Sequence, residues 1–159
     1  MDNKTFRNAM GKFTTGVTVI TTKVNEDIHG MTANAFMSVS LNPKLVTISI
    51  DNQAKMIDKI KTSGKYAVSF LSDEQVDVSM HFAGQKKLEG RFEFDYLLDL
   101  PVIPNALASV VCNVYEAHVV GDHTLFVGEV LDIVVRDGNP LTFFGGKYGQ
   151  NLQIEFVNN

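Results

Sequence analysis

The chain has 159 residues, the length of one ordinary domain, and its 45% hydrophobic and 20% charged residues exclude a disordered or fibrous protein. Fourteen Lys and Arg against eighteen Asp and Glu leave a net charge of −4, which argues against a basic nucleic-acid-binding face. The lone Cys112 excludes an internal disulfide and a cysteine-built zinc or iron–sulfur centre, and no apolar run approaches membrane-spanning length.

Residues 1–12 are polar with scattered apolar positions and carry no signal-peptide core. The expectation is a single domain over 1–159 in a reducing cytoplasm, with no nucleic-acid or membrane partner. The chain opens on a short helix capped by Asp2 or Asn3, because Phe6, Met10 and Phe13 fall at i, i+4, i+7. Val17 to Thr22 is β-branched throughout, which predicts a strand, and the turn formers Asn25-Glu26-Asp27 follow it. Ile28 to Ala33, Phe36 to Ser40 and Leu45 to Ile50 read as three further strands, with Asn42-Pro43 punctuating the last pair. Met56, Ile57 and Ile60 make the apolar stripe of a helix between Gln53 and Thr62, stopped by Gly64. After a strand from Tyr66 to Leu71, Ser72 and Gln75 form the capping-box pattern of a helix carrying Val76, Met80 and Phe82.

The second half is nearly all strand. Leu107 to Val119 and His123 to Val135 read as long strands joined by a hairpin at Val120-Gly121-Asp122. In the first, apolar residues run Ala108, Val110, Cys112, Val114 and then switch parity to Tyr115, Ala117, Val119. One extra residue flips the faces, so a bulge is expected near Val114-Tyr115. Asp137-Gly138 is a turn, and Leu141 to Phe144 a last short strand. Many antiparallel strands with few helices imply a mainly β fold, a closed or partly closed barrel.

Gly30 to Ser40 is rich in small and hydroxylated residues where a strand pair should be hydrophobic. A flat heteroaromatic ring needs backbone N–H and C=O groups brought close to its edge, and small side chains permit that approach. An edge strand with a solvent-facing polar side fits the same composition. Asn52 to Met56, where a strand gives way to a helix, offers the positive end of a helix dipole and the charge of Lys55 to an anion; a solvated surface lysine is the plainer reading. Phe82-Ala83-Gly84 closes the next helix ahead of a basic loop with Lys86, Lys87 and Arg91.

His118 and His123 flank the long hairpin and, with Glu116 or Asp122, are candidate ligands of a metal-dependent barrel enzyme. His123 alternatively donates a hydrogen bond to a bound substrate. His29 and His81 carry no recognisable constellation. A Rossmann unit, a P-loop and a Gly-x-Ser-x-Gly nucleophile are all missing from the sequence, and Cys112 sits in an apolar run suited to packing.

Phe6 to Thr22, His29 to Ser40, Phe82-Ala83-Gly84, Gly121 to Val130 and Pro140 to Tyr148 together resemble the short-chain NAD(P)H:flavin oxidoreductases, a family with a flavin-binding split β-barrel. Within that family the chain is most similar to the reductase components of two-component phenol hydroxylases. The resemblance implies hydride transfer from NADH or NADPH to the N5 of FAD or FMN, with the reduced flavin supplied to a separate monooxygenase. A flavin-binding protein without reductase activity, a redox sensor or storage module, is the alternative of a different class.

The resemblance also implies roles. Thr32, Ala33, Asn34 and Ala35 would hold the isoalloxazine edge, largely through the backbone. Ser49, Ile50, Ala54, Lys55 and Met56 would meet the ribityl chain and phosphate. Phe82, Ala83 and Gly84 would line the outer part of the flavin, His123 would sit by the nicotinamide, and Tyr148 would close the pocket. It implies a homodimer as well, with the β-branched residues of Val17 to Thr22 and Leu125 to Val135 read as an exposed face for the second copy.

Overall fold

The computed structural model describes residues 1–150; the remainder of the single-domain expectation, residues 151–159, lies outside the described residues. Helix α1 (Asn3–Met10) starts as expected, with the Asp2 carboxylate accepting from the Thr5 N–H at 2.8 Å. Its apolar stripe has no buried member, and Phe6, Met10 and Phe13 all remain exposed. β1 (Thr15–Gly16), β2 (Thr18–Val24), β3 (Asp27–Ala33), β4 (Phe36–Leu41) and β5 (Lys44–Asp51) follow within two residues of the predicted bounds where a strand was expected. Helix α2 (Met56–Ser63) buries Met56, Ile57 and Ile60 and ends on Gly64, whose φ of 68° suits a residue without Cβ.

β6 (Lys65–Phe70) leads to α3 (Val76–Phe82), where half of the expected capping box forms: the Ser72 N–H donates to Gln75 Oε1 at 3.0 Å. A hairpin that the sequence did not signal comes next, β7 (Asp95–Leu97) and β8 (Leu100–Val102). Its turn residues Leu98 and Asp99 both take positive φ, 46° and 63°, a geometry usually marked by Asn-Gly. β9 (Ala108–Val120) and β10 (His123–Val135) form the long hairpin, and β11 (Thr142–Phe144) and β12 (Lys147–Gly149) complete a three-stranded sheet with β1. Glu116 faces Val127 and Val114 faces Gly128, so Tyr115 is the extra residue that the parity switch announces.

The main sheet has seven strands in the order β3-β2-β6-β9-β10-β5-β4. Its two edge strands, β3 and β4, are consecutive in the chain and joined only by Asn34-Ala35. A sheet whose opposite edges share a two-residue link must curl until they meet at that end. The edges do not pair elsewhere, so the fold is a split barrel. Ile20, Ile48, Met56, Ile60, Tyr66 and Phe126 fill its interior, with α2 as the plug.

A second cluster around Val17, Val19, Leu71 and Leu141 packs outside β2, and Ala67 and Val111 pack under β8. This corrects one expectation. Val17 to Thr22 is not an exposed face: every one of these residues is buried, Ile20 toward the barrel and Val19 toward the outer cluster. A strand covered on both sides needs a continuous β-branched run, which the sequence alone does not separate from a sticky surface. Among the described residues, no helix is long and apolar enough to cross a membrane.

Candidate functional site

The Asn34-Ala35 link is where two strand edges with open backbone positions meet. β3 pairs only with β2, and β5 runs on past Ile48, its last partner position toward Phe36 of β4, through Ser49, Ile50 and Asp51. The Ser49 N–H donates to the Ala35 carbonyl at 3.3 Å and the Phe36 N–H to the Asn34 carbonyl at 3.1 Å, fixing the junction. Small residues at 33 and 35 leave the backbone accessible there.

Two cavities share Asn34 and Val17 as walls. The smaller, of about 160 Å³, brings together Thr32, Ala33, Asn34, Ala83 and Tyr148. Its wall is tied by one residue of α3: the Thr32 hydroxyl donates to the Ser79 carbonyl at 2.6 Å, and the Ser79 and Tyr148 hydroxyls lie 2.9 Å apart. The larger cavity, of about 630 Å³, is bounded by Asn34, Ala35, Phe36, Phe70 and Thr15. Among the described residues the Thr15 hydroxyl is buried without a hydrogen-bond partner. An orphaned hydroxyl costs about 1–3 kcal/mol, a cost relieved when the polar edge of a ligand enters. Open strand edges, small side chains and this hydroxyl fit a planar ring with alternating donors and acceptors.

Neither cavity is lined by Ser49, Lys55 or His123; these gather along the free end of β5 instead. The corner from β5 into α2 is laced to the long hairpin. The Asn52 N–H donates to the Asp122 carbonyl at 2.9 Å, and the Thr124 hydroxyl donates to Asn52 Oδ1 at 2.6 Å. Gln53 and Ala54 donate back to Asp51, which folds the corner tight. His123, the first residue of β10, stands opposite Asp51, and its Nδ1 lies 2.7 Å from Asp122 Oδ1. That hydrogen bond holds the Asp122 carboxyl below the usual range.

Ile50 and Met56 are fully buried in the core, so their side chains are closed to a ligand and only their backbone groups remain available. Lys55 stands at the start of α2, where no side chain caps the helix. The imidazole of His29, on the neighbouring β3, is held below its ordinary value chiefly by burial, with Lys59 and Lys55 pushing it further down against Asp27. Lys59 is paired with Asp27, which ties α2 to the start of β3. Phe82 lies against Gly30 and borders a different cavity from its neighbour Ala83, and Gly84 follows with a φ of 73°.

Sequence reasoning assigned no role to Ser79, Thr124 or Thr15, and it read Asn52 only as part of the anion-binding corner, not as the partner of Thr124. Ser79 had a faint signal, a hydroxyl between Val78 and Met80 on the inward face of a half-buried helix; the others depend on pairings across more than 50 residues or on a cavity. The metal arrangement does not form. His118 faces Leu125 and bonds Glu116 at 2.8 Å, His123 bonds Asp122, and no three His, Cys, Asp or Glu gather among the described residues. Cys112 is buried, and burial pushes its thiol up to about 12.

The family profile described as "Flavin reductase like domain" matches residues 10–151. An NADH-dependent flavin reductase from a Rhodococcus species is 46% identical over 145 residues, 89% of this chain and 82% of that protein. The reductase component of 4-hydroxyphenylacetate 3-monooxygenase from Thermus thermophilus is 37% identical over 144 residues, 90% of this chain and 93% of that protein. Among solved structures, flavin reductase PheA2 in its native state superimposes with a TM-score of 0.93 at 58% identity, covering 96% of this chain and 100% of that one.

Proposed function

This chain belongs to the flavin reductase like domain family, and we propose that it reduces a flavin with NADH at the junction of β3 and β5. The observation that carries the reading is the junction itself: two open strand edges, small residues and an unpartnered hydroxyl converge on Asn34-Ala35. When bound, the flavin supplies the ring nitrogen that accepts the hydride. The protein's part is to stack two rings in contact, which asks for positioning more than for an acid or base.

Thr32, Ala33, Asn34 and Ala35 hold the ring edge through their backbone, and Thr32 and Tyr148 keep their places through Ser79. Ser49 and the Ala54-Lys55-Met56 corner meet the ribityl chain and phosphate, with Ile50 and Met56 contributing backbone alone. Phe82, Ala83 and Gly84 line the outer part. His123 meets the nicotinamide, oriented by its bond to Asp122.

Reduced flavin then leaves for a separate monooxygenase, a role supported by the Thermus relative's being a monooxygenase reductase component. The working unit is a homodimer in the cytoplasm. Support for the dimer is the exposed apolar side chains of the long hairpin, Val119 and Val120 next to its turn and Ile133 and Val135 at its open end, together with exposed Met37 and Leu41 on β4. The test is anaerobic addition of NADH to flavin-loaded protein. Bleaching of the flavin band upholds the enzyme; bound flavin that stays oxidised means a sensor or storage module instead. Light scattering of the same sample checks the dimer, and a monomer mass with full flavin loading contradicts it.

A further inference from the structure

The tip of the long hairpin carries His123, and packing does little to hold it. Gly121 and Asp122 form a two-residue turn between the paired Val120 and His123, with Gly121 at a φ of 63°. Residues Val119 to Asp122 are all exposed. A turn of this kind leaves the carbonyls of its two central residues outside the ladder of its own strands, in need of other donors. Pairing with β5 reaches only as far as His123 opposite Asp51.

Asn52, the next residue after Asp51, supplies what the ladder does not. Its N–H donates to the Asp122 carbonyl at 2.9 Å, and its Nδ2 reaches the Gly121 carbonyl at a long 3.5 Å. Its Oδ1 accepts from the Thr124 hydroxyl at 2.6 Å, the tightest of the three, and Thr124 is only 1% exposed. Among the described residues, every hydrogen bond that leaves 121–124 outside the strand ladders ends on Asn52. A side-chain amide suits the place because it offers a donor and an acceptor on separate atoms.

The corner on the other side of Asn52 stands without its side chain. The Gln53 N–H donates to Asp51 Oδ1 at 2.8 Å and the Ala54 N–H to the Asp51 carbonyl at 2.9 Å, so Asp51 folds the turn that leads to Lys55. The Asn52 amide therefore serves the hairpin tip alone. Its removal loosens the tip and leaves the corner in place.

We infer that Asn52 is a positioning residue for the nicotinamide: its amide latches the hairpin tip to the β5–α2 corner and so fixes where His123 stands. The inference rests on the reading of His123 as the nicotinamide contact. Asn52 touches no reactant and acts through His123, where a displacement of about 1 Å is enough to cost turnover. Thr124 is the anchor of the latch, because its buried hydroxyl has no other partner among the described residues once the amide is gone.

The KM for NADH at saturating FMN, the FMN affinity and the stability in urea are measured for the wild type, Asn52→Ala, Thr124→Val, Thr124→Ser, His123→Ala and the double variant Asn52→Ala/His123→Ala. Asn52 is exposed, and Val matches Thr in shape, so neither replacement disturbs the packing of the barrel. Asn52→Ala and Thr124→Val should each raise the KM about threefold, and by no more than His123→Ala does, with FMN affinity unchanged. Thr124→Ser, which keeps the hydroxyl, should restore the wild-type KM. In the double variant Asn52→Ala should add nothing to the rise that His123→Ala causes. Loss of stability with the wild-type KM retained, additive effects in the double variant, or a Thr124→Ser protein as impaired as Thr124→Val overturns the inference. If His123→Ala itself leaves the KM unchanged, the reading of His123 fails first, and the role of Asn52 falls with it.

Discussion

Replacing Gly30 by Ala probes the joint between β3 and α3, on which the walls of two cavities depend. A Cβ at Gly30 would stand 2.5 Å from Cε1 and 2.6 Å from Cδ1 of Phe82, whereas ordinary contact begins at 3.4 Å, so the ring must retreat by about 0.9 Å. It has little room. Phe92 and Phe94 pack behind it, and α3 is held to β3 by the bond from the Thr32 hydroxyl to the Ser79 carbonyl. Overpacking of this kind costs about 1–3 kcal/mol, and the half-exposed ring places this case in the lower half of that range. Alanine is itself about 0.5–1 kcal/mol better than glycine inside a strand, which offsets part of the cost. The net expectation is a loss of about 1 kcal/mol in stability, with flavin affinity falling severalfold because Ala83 moves with Phe82. Urea unfolding at constant m-value and an FMN titration measure the two effects. In a Phe82→Leu background the clash relaxes, and the cost of Gly30→Ala should shrink by at least about 0.5 kcal/mol. Strict additivity of the two substitutions, or a Gly30→Ala protein as stable as the wild type, would refute the reasoning.

Lys55→Ala should weaken FMN binding by about 1–3 kcal/mol while leaving riboflavin, which has no phosphate, nearly unchanged; equal losses in parallel titrations would exclude a phosphate contact. His123→Ala should raise the KM for NADH about two- to twelvefold with flavin affinity unaltered, and steady-state kinetics beside a flavin titration check both halves of that statement. At Gly128 a Cβ would lie 2.3 Å from the Tyr66 hydroxyl and 2.8 Å from Cys112 Cβ, both fully buried, so Gly128→Ala should cost about 3 kcal/mol in urea unfolding, with partial recovery in Tyr66→Phe. Burial pushes the Cys112 thiol from 9.0 up to about 12, and the Tyr66 hydroxyl in the same direction. The unfolded chain therefore loses protons that the folded chain keeps: stability is full below pH 9 and falls as pH rises toward 12, by up to about 1.4 kcal/mol per pH unit from Cys112 alone. Unfolding measured from pH 8 to 11 should show a slope that Cys112→Ala reduces, and a slope indifferent to that substitution would tell against the buried thiol.

Much of the fold was legible because its cues are local. The alternation in Leu45 to Ile50, the Gly64 stop and the parity switch at Tyr115 each act within a few residues, and each appears in the structure as read. The β7–β8 hairpin was not legible, since Leu98-Asp99 holds its positive-φ turn without the usual residues. The outward reading of Val17 to Thr22 failed for a different reason: composition records a preference for burial but not how many faces are covered. For the site, the segment Thr32 to Ala35 that the sequence singled out lines the two cavities at the junction while Lys55 lines neither, and the buried state of Ile50 and Met56 appears only once α2 is docked in the barrel.

The sequence alone determined a mainly antiparallel β chain, the corner where β5 turns into α2, and a family likeness carried by motifs in sequence order. Only the tertiary structure decided that β3 and β4, joined by two residues, lie at opposite edges of a seven-stranded sheet and so open the junction at Asn34-Ala35. It alone set Thr32 and Tyr148 on either side of Ser79, put His123 across from Asp51, and spread Phe82, Phe92 and Phe94 along one cavity. The physical reason is range. Backbone propensity and side-chain period act over a handful of residues, whereas strand order follows from packing and pairing between segments up to 80 residues apart, as in the bond from the Thr21 hydroxyl to the Pro101 carbonyl.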